Sequence, residues 1–235
     1  MPASPTQHIL AGALLCCAAA AEAATRPAVV ELFTSEGCSS CPPAEAFVGE
    51  LSRRRDVLAL TFHVDYWDDL GWRDRFGLPG SVERQRSYAK MLKLSSVYTP
   101  QVVIDGQGDF VGSDRAAIGR ALAEPRSGVA LTLAVHDGAL RVDLADQAHA
   151  TPCDIVLVSY QRSAISPIGR GENAGRTIQE FNIVREFRSL GRWSGRQQSY
   201  QARGDSLPRD ATDVAVLVQT VGQAPIIGAA TLALR

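Results

Sequence analysis

Two cysteines separated by two residues stand between a strand pattern and a helix pattern. Val29 to Phe33 is short and mostly apolar, Cys38 and Cys41 follow it, and Ala44 to Arg54 has its apolar residues on one helical face. A pair at this spacing can close a disulfide across the turn that starts a helix. There the helix dipole and free N–H groups favour the thiolate, the reactive form of cysteine. The pattern predicts a dithiol at a strand-to-helix turn.

Three interpretations of this pair remain open: a redox couple, a structural disulfide and half of a metal site. Redox exchange is favoured, because the second thiol can attack a mixed disulfide formed at the first. Pro42 and Pro43 lack N–H donors, so we expect the regular helix to begin at Ser40 or later. A closed zinc site needs four ligands at matched spacing, which the few histidines do not offer. Cu(I) held by both thiolates, with His63, is the remaining metal alternative.

The N-terminus predicts export. Ile9 to Ala21 is nearly all apolar and runs into Ala21-Glu22-Ala23-Ala24, a small-residue cleavage pattern, so residues 1–24 are expected to be a signal peptide. The run is too short for a comfortable membrane span. An uncleaved anchor and a lipoprotein are the alternatives. After cleavage the mature chain would have no stable membrane span, so we expect a periplasmic or secreted protein.

Net charge and cysteine number argue against two classes of protein, nucleic-acid-binding proteins and disulfide-scaffold proteins. The 235-residue chain has a formal net charge of −1, which argues against nucleic-acid binding. Of its five cysteines, Cys16 and Cys17 would leave with the signal peptide. Three cysteines are too few for a disulfide scaffold, and a close pair plus one is typical of a redox motif. Cys153 opens a predicted strand and is expected to be a buried, inert thiol.

The periodicity divides the chain into two predicted domains. Residues 25–125 have the order strand, helix, strand, helix, strand, strand, helix, which is typical of a compact α/β unit. Residues 126–235 alternate apolar and polar positions and predict a smaller β-rich domain, an antiparallel sandwich. Thr177 to Arg188 is ambiguous between strand and helix. Arg170 to Arg176 is glycine-rich but lacks the frame of a phosphate loop, and is expected to be a polar loop facing the first domain.

Further site candidates follow the second strand, Val57 to Val64. His63 and Asp65 alternate at its end and are candidate proton shuttles between thiols. Tyr66 and Trp67 are candidates for the wall of the site. The alternative is a buried polar pair with core aromatic residues.

Several segments carry a family resemblance. They are Glu31 to Pro43, His63 to Asp68, Tyr98 to Gln101 and Arg170 to Gly175. The layout resembles the thioredoxin-like superfamily, and more narrowly the bacterial secreted family named domain-of-unknown-function 1223. The resemblance implies a thioredoxin-like first domain, a cis Thr99–Pro100 bond lying against the dithiol, and a Thr99 that holds substrate backbone. It brings no established substrate.

Together these observations predict an exported thiol–disulfide oxidoreductase without cofactor or metal. Cys38 attacks, Cys41 resolves and Pro100 shapes the site, while Thr99, Tyr66 and Trp67 contact a protein or small-molecule thiol or disulfide. We expect Cys38 to be the more exposed thiol, with the lower pKa. Two alternatives remain: a non-enzymatic thioredoxin-like binding protein with a structural disulfide, and a periplasmic Cu(I)-binding protein.

Overall fold

The computed structural model describes residues 24–147 and 151–234. Residues 1–23 of the predicted signal peptide, with Cys16 and Cys17, lie outside these residues, as does His149. The strands are β1 (Ala24–Thr25), β2 (Ala28–Thr34), β3 (Val57–His63), β4 (Gln101–Ile104), β5 (Gly108–Val111), β6 (Ser127–Gly128), β7 (Leu131–His136), β8 (Ala139–Leu144), β9 (Cys153–Pro167), β10 (Thr177–Trp193), β11 (Gln198–Arg203), β12 (Asp213–Thr220) and β13 (Ile226–Ala233). The helices are α1 (Pro42–Leu51), α2 (Pro79–Met91) and α3 (Arg115–Leu122), and short 3₁₀ turns cover Asp68–Leu70 and Gly204–Ser206.

Eight strands form one mixed sheet in the order β13-β12-β9-β10-β3-β2-β4-β5. Strands β2 and β3 are parallel and buried along their whole length, as their continuous apolar runs predict. A second sheet has the order β11-β8-β7, and β1 pairs with β6. The expected α/β thioredoxin-like domain followed by a smaller antiparallel domain is therefore wrong: the described chain is mostly β, with one large sheet that contains strands from both halves.

The long hairpin of β9 and β10 joins the two halves. Ile183 of β10 pairs in parallel with Thr61 of β3. The Thr61 hydroxyl donates to the Phe181 carbonyl at 2.7 Å, and the Asn182 amide donates to the Ala59 carbonyl at 2.8 Å. The ambiguous segment from Thr177 is thus a strand, and its partner lies more than a hundred residues away.

The hydrophobic core confirms that the halves are not packed separately. One buried cluster combines Phe33, Phe62 and Tyr88 from the first half with Val158 and Leu217 from the second. A second cluster packs α1 and α3 against the opposite face of the sheet, and a third fills the space beneath β7, β8 and β11. The predicted boundary between residues 125 and 126 remains a prediction, but the large sheet and one core cross it.

The residues at which α1 and α3 begin are explained by their first-turn prolines and by an N-cap side chain. Pro42 and Pro43 occupy the first turn of α1, where the missing N–H groups have no intrahelical partner to lose. Asp114 caps α3 by accepting from the Ala117 amide. None of the helices in the described residues is long and apolar enough to cross a bilayer.

Candidate functional site: the buried dithiol turn

Cys38 and Cys41 form a disulfide in the turn between β2 and α1, with Cα atoms 5.4 Å apart. The turn is held by the Cys38 amide donating to the Ser35 carbonyl and by the Cys41 amide donating to the Cys38 carbonyl. Cys41 is the N-cap of α1, and its backbone is already helical. Both cysteines are 0% exposed, so the expected greater exposure of Cys38 is absent from the disulfide form.

A loop from the second half covers this turn. The amide of Asn173, itself fully buried, donates to the carbonyls of Glu36 and Cys38, both at 2.9 Å. The neighbouring Glu172 carboxylate accepts from the Ser39 amide at 3.2 Å. Arg176, at the end of the loop, donates to the Asn173 side-chain carbonyl at 3.1 Å. The glycine-rich loop predicted to face the first half therefore contacts the backbone of the dithiol motif itself.

Pro100 and its neighbours lie on another side of the site. The Thr99–Pro100 bond is cis, as the resemblance implied. A Cβ atom built on Gly112 would lie 2.9 Å from both the Ala44 Cβ and the Pro100 Cβ, which places Pro100 beside the first turn of α1.

The two aromatic candidates differ in their contacts. The Trp67 ring nitrogen donates to the Thr99 hydroxyl at 2.9 Å, and its Cβ would lie 3.1 Å from a Cβ atom on Gly37. Tyr66 is more exposed and reaches Gln85 at 3.4 Å. Trp67 thus connects the residue before Pro100 with the turn before Cys38, while Tyr66 points to α2.

A cluster of ionisable side chains, the acid–histidine cluster, is buried behind the turn. It consists of Glu45, His63, Asp74 and Glu180, which are 0–4% exposed. The His63 Nδ1 atom lies 2.8 Å from the Asp74 carboxylate, and its Nε2 atom lies 3.6 Å from Glu180, beyond hydrogen-bond distance. The Thr34 hydroxyl donates to one oxygen of Glu45 at 2.6 Å. The other Glu45 oxygen, both Glu180 oxygens and His63 Nε2 have no hydrogen-bond partner among the described residues.

Burial and the charges of neighbouring side chains shift the pKa values of this cluster. Burial, reinforced by the Glu180 charge, raises the pKa of Glu45 to about 8. Burial also raises the pKa of Glu180 to about 7, although His63 opposes it. For His63 burial lowers the pKa, but Asp74 outweighs it and the result is a pKa of about 9. Burial would raise the pKa of Asp74, but His63 and two backbone N–H groups hold it below its ordinary value.

Glu45 is the member of the cluster closest to the dithiol along the chain. It lies four residues after Cys41 in the same helix, and residues at this spacing share a helical face. Both side chains face the interior. The cluster therefore places a carboxyl group with a raised pKa on the same helical face as the buried Cys41.

Of the two predicted proton shuttles, the structure brings His63 into the cluster. Asp65 lies in the turn after β3, is half-buried, and accepts from the Asp68 amide through its backbone carbonyl. Glu45, Glu180 and Asn173 were missed by sequence reasoning. The spacing from Cys41 was a signal for Glu45, and the glycine-rich loop was a signal for Asn173. No sequence signal pointed to Glu180, because it lies in β10, more than a hundred residues after the cysteines.

The described residues contain no group of three or more His, Cys, Asp or Glu side chains placed to hold a metal ion. Cys153 is buried, its thiol donates weakly to the Thr151 carbonyl, and burial raises its pKa. It lies at the start of β9, in the core beneath the smaller sheet.

The sequence model of the family described as "Protein of unknown function (DUF1223)" matches residues 29–219. The chain belongs to the DUF1223 family. This match confirms the resemblance to that family and covers strands on both sides of the predicted domain boundary, while secretion stays a prediction. No curated protein matches this DUF1223 chain.

Two solved structures share its fold. One is the X-ray crystal structure of a structural-genomics target protein from Agrobacterium tumefaciens, with 27% identity, a TM-score of 0.79, and coverage of 90% of this chain and 96% of that one. The other is HBP35 of Porphyromonas gingivalis, with 15% identity, a TM-score of 0.57, and coverage of 89% of this chain and 76% of that one. At 15% identity the second likeness concerns the fold alone.

Proposed function

We propose that this DUF1223 protein is a thiol–disulfide oxidoreductase that uses the Cys38/Cys41 pair. The observation that carries the proposal is the position of Glu45, whose pKa of about 8 and unpartnered oxygen lie on the same helical face as Cys41. A purely structural disulfide needs no ionisable group beside it. A disulfide that opens inside the protein does, because a thiolate released there must be neutralised.

In the proposed reaction a substrate thiolate attacks the Cys38 sulfur. A mixed disulfide forms between substrate and Cys38, the Cys38–Cys41 bond breaks, and Cys41 leaves as a thiolate. Protonated Glu45 gives its proton to this thiolate. In the reverse direction Glu45 takes the proton back and Cys41 attacks the mixed disulfide. The reduction potential of the pair relative to that of its compartment sets the direction.

The other predicted residues take supporting roles in this proposal. Pro100 shapes the site beside the first turn of α1, and Thr99 and Trp67, joined by their hydrogen bond, present substrate backbone to the dithiol. Tyr66 is the exposed contact. His63 sets the charge next to Glu45 and so the acidity of that carboxyl. The proposal includes export to an oxidising compartment, where such a pair is maintained.

The test is reduction of the folded protein by dithiothreitol, followed by thiol quantification with circular dichroism recorded in parallel. We expect the disulfide to open while the fold stays intact. Glu45→Gln should slow this reduction about tenfold or more near pH 7 and flatten its pH profile, because general acid catalysis is lost. Glu83→Gln, at an exposed position of α2, is the matched control. A disulfide that opens only as the protein unfolds would refute the proposal.

The burial of both sulfurs favours one second candidate, a structural disulfide in a non-enzymatic binding protein. The same experiment separates the two functions. A structural disulfide resists mild reductant in the folded protein, whereas a redox pair exchanges with it. Trapping of mixed disulfides by Cys41→Ser supplies the second readout, since a structural disulfide has no thiol partners to trap.

A further inference from the structure

A groove of about 630 Å³ begins beside the dithiol and runs between α1 and the first residues of β10. On the helix side it is lined by Pro42, Ala46, Gly49, Glu50 and Arg53. Pro42, Ala46, Gly49 and Arg53 follow one another at steps of three or four residues, with Glu50 beside Gly49, so the positions form one continuous stripe along the helix and past its C-terminal end. The groove is thus about 16 Å long.

The opposite wall comes from the second half of the chain, through residues 176–179 and Phe181. The Phe181 ring lies directly against Gly49, so a Cβ atom at this position would overlap it. A side chain larger than hydrogen at position 49 would therefore displace the ring from this wall of the groove. Ile178 and Phe181 supply apolar surface, while Thr177 and Gln179 are exposed at the rim.

The charge of the groove is positive. Among the described residues Arg53 and Arg176 form no salt bridge, and one stands near each end of the groove. The one acidic residue in the lining, Glu50, is neutralised by an ion pair with Arg115. Two guanidinium groups that form no salt bridge among the described residues, separated by an apolar surface, favour a ligand with carboxylates at both ends of an extended chain.

We propose that this groove binds an acidic, extended peptide segment of a partner protein and presents that partner's cysteine to the Cys38/Cys41 pair. The inference rests on the proposed function and names its substrate class. An extended chain advances about 3.3 Å per residue, so about five residues span the roughly 16 Å of the helix-side wall. A single small thiol would occupy only part of this length, which is why a peptide is the stated occupant.

Arg176 connects the groove with the cover of the dithiol. Its guanidinium donates to Asn173, and Asn173 in turn donates to the Cys38 carbonyl. A peptide carboxylate that engages Arg176 competes with the Asn173 side chain for it. Binding in the groove therefore loosens the loop that keeps both sulfurs buried, and exchange becomes faster when the peptide is in place than with a small thiol alone.

The binding test uses the full chain in its disulfide form and fluorescein-labelled, cysteine-free pentapeptides. One peptide is rich in Asp and Glu, and its partner has Lys at the same positions. Fluorescence anisotropy should show binding of the acidic peptide alone. Arg53→Glu should weaken it about tenfold or more, since attraction becomes repulsion. Arg55→Glu, an equal charge change outside the groove, is the matched control and should leave affinity unchanged.

The exchange test uses the same peptides with one added cysteine. The peptide thiolate forms a mixed disulfide with Cys38 and releases the Cys41 thiolate, so one S–S bond replaces another. We expect faster exchange with the acidic peptide, loss of this preference in Arg53→Glu, and its retention in Arg55→Glu. Dithiothreitol should reduce wild type and Arg53→Glu at equal rates.

Three outcomes would overturn the peptide site. They are equal binding of both peptides, an Arg53→Glu variant that binds as wild type does, and displacement of the acidic peptide by equimolar glutathione, which would indicate a small-molecule site. Failure of every thiol to open the disulfide would instead refute the proposed redox function. The cysteine-free binding result would still decide whether the groove holds a peptide.

Discussion

Two buried polar clusters lie within the described chain, and they differ in how completely their atoms are paired. In the closed cluster, formed by Glu31, Arg84, Tyr88 and Gln219, the Arg84 guanidinium donates to Glu31 at 2.6 Å, to the Tyr88 hydroxyl at 2.9 Å and to Gln219 at 3.1 Å. The Tyr88 hydroxyl donates to the second Glu31 oxygen, and Gln219 donates to Tyr88 and to the Ala224 carbonyl. The acid–histidine cluster instead leaves four polar atoms without partners.

The completeness of the hydrogen bonding determines whether the groups of each cluster can change their charge near neutral pH. Burial opposes the charge of Arg84, but Glu31 outweighs it and raises the pKa of Arg84, while burial raises the pKa of Tyr88 well above its ordinary value. Neither group changes its charge near neutral pH. In the acid–histidine cluster, by contrast, Glu45 and Glu180 have pKa values of about 8 and 7. The closed cluster stabilises the joint between α2, β2 and β12, whereas the other cluster can gain and lose a proton.

Breaking the closed cluster should produce the largest loss of stability. Arg84→Met leaves the Glu31 carboxylate buried without its cation, and we expect a loss of about 3–5 kcal/mol in the free energy of unfolding. Urea denaturation at neutral pH measures it. The double variant Glu31→Gln/Arg84→Met should recover part of the loss, because no buried charge remains unpaired. A single variant as stable as wild type would show that the pair is not the source of stability.

The acid–histidine cluster should appear as a pH dependence of stability. The folded-state pKa of Glu45 is raised from 4.5 to about 8, so the folded state holds that proton more tightly and stability falls as pH rises through this window. His63, raised from 6.5 to about 9, contributes stability that is present below pH 6.5 and lost through pH 9. We expect the free energy of unfolding to decrease from pH 5 to pH 9.

Glu45→Gln isolates one part of this effect. The amide cannot ionise, so the variant should lose less stability between pH 5 and pH 8, by on the order of 3 kcal/mol. Urea denaturation at both pH values measures the difference. Glu50→Gln, which is exposed, should follow the wild-type profile. Parallel profiles for wild type and Glu45→Gln would contradict the raised pKa.

Sequence reasoning predicted the local parts of this architecture and missed the distant contacts. The strand before Cys38, the helix after Cys41 and the strand that begins at Val57 follow from composition and spacing, because their determinants lie within a few residues. The pairing of Ile183 with Thr61 joins residues far apart in the chain, and no pattern near either of them encodes it. The expected second domain failed for this reason: alternating residues predict strands but not the sheet they join.

In the candidate site, too, residues of local motifs were predicted and residues that depend on distant contacts were not. Cys38, Cys41, His63 and Pro100 were recognised because each belongs to a local motif. Glu180 was not, since its role depends on the β10–β3 joint that brings it near His63. Asn173 lies between these cases: the loop was identified as polar and facing the first half, but its bonds to the Glu36 and Cys38 carbonyls require the folded chain.

The smallest expected change in stability comes from the cover over the dithiol. Asn173→Ala removes two hydrogen bonds and leaves the Glu36 and Cys38 carbonyls without this donor, so we expect a loss of about 1–3 kcal/mol in the free energy of unfolding.

The more informative effect of Asn173→Ala is on the rate at which the disulfide reacts. If the loop restricts access to the sulfurs, the variant's disulfide should react several-fold faster with dithiothreitol at neutral pH. Glu172→Gln is the control from the same loop: its side chain is exposed, keeps an acceptor for the Ser39 amide and should leave the rate unchanged. A less stable Asn173→Ala that reacts at the wild-type rate would mean that the loop supports the turn without guarding it. Faster reaction in both variants would mean that any change in this loop exposes the sulfurs, and that the hydrogen bonds of Asn173 have no specific role in guarding them.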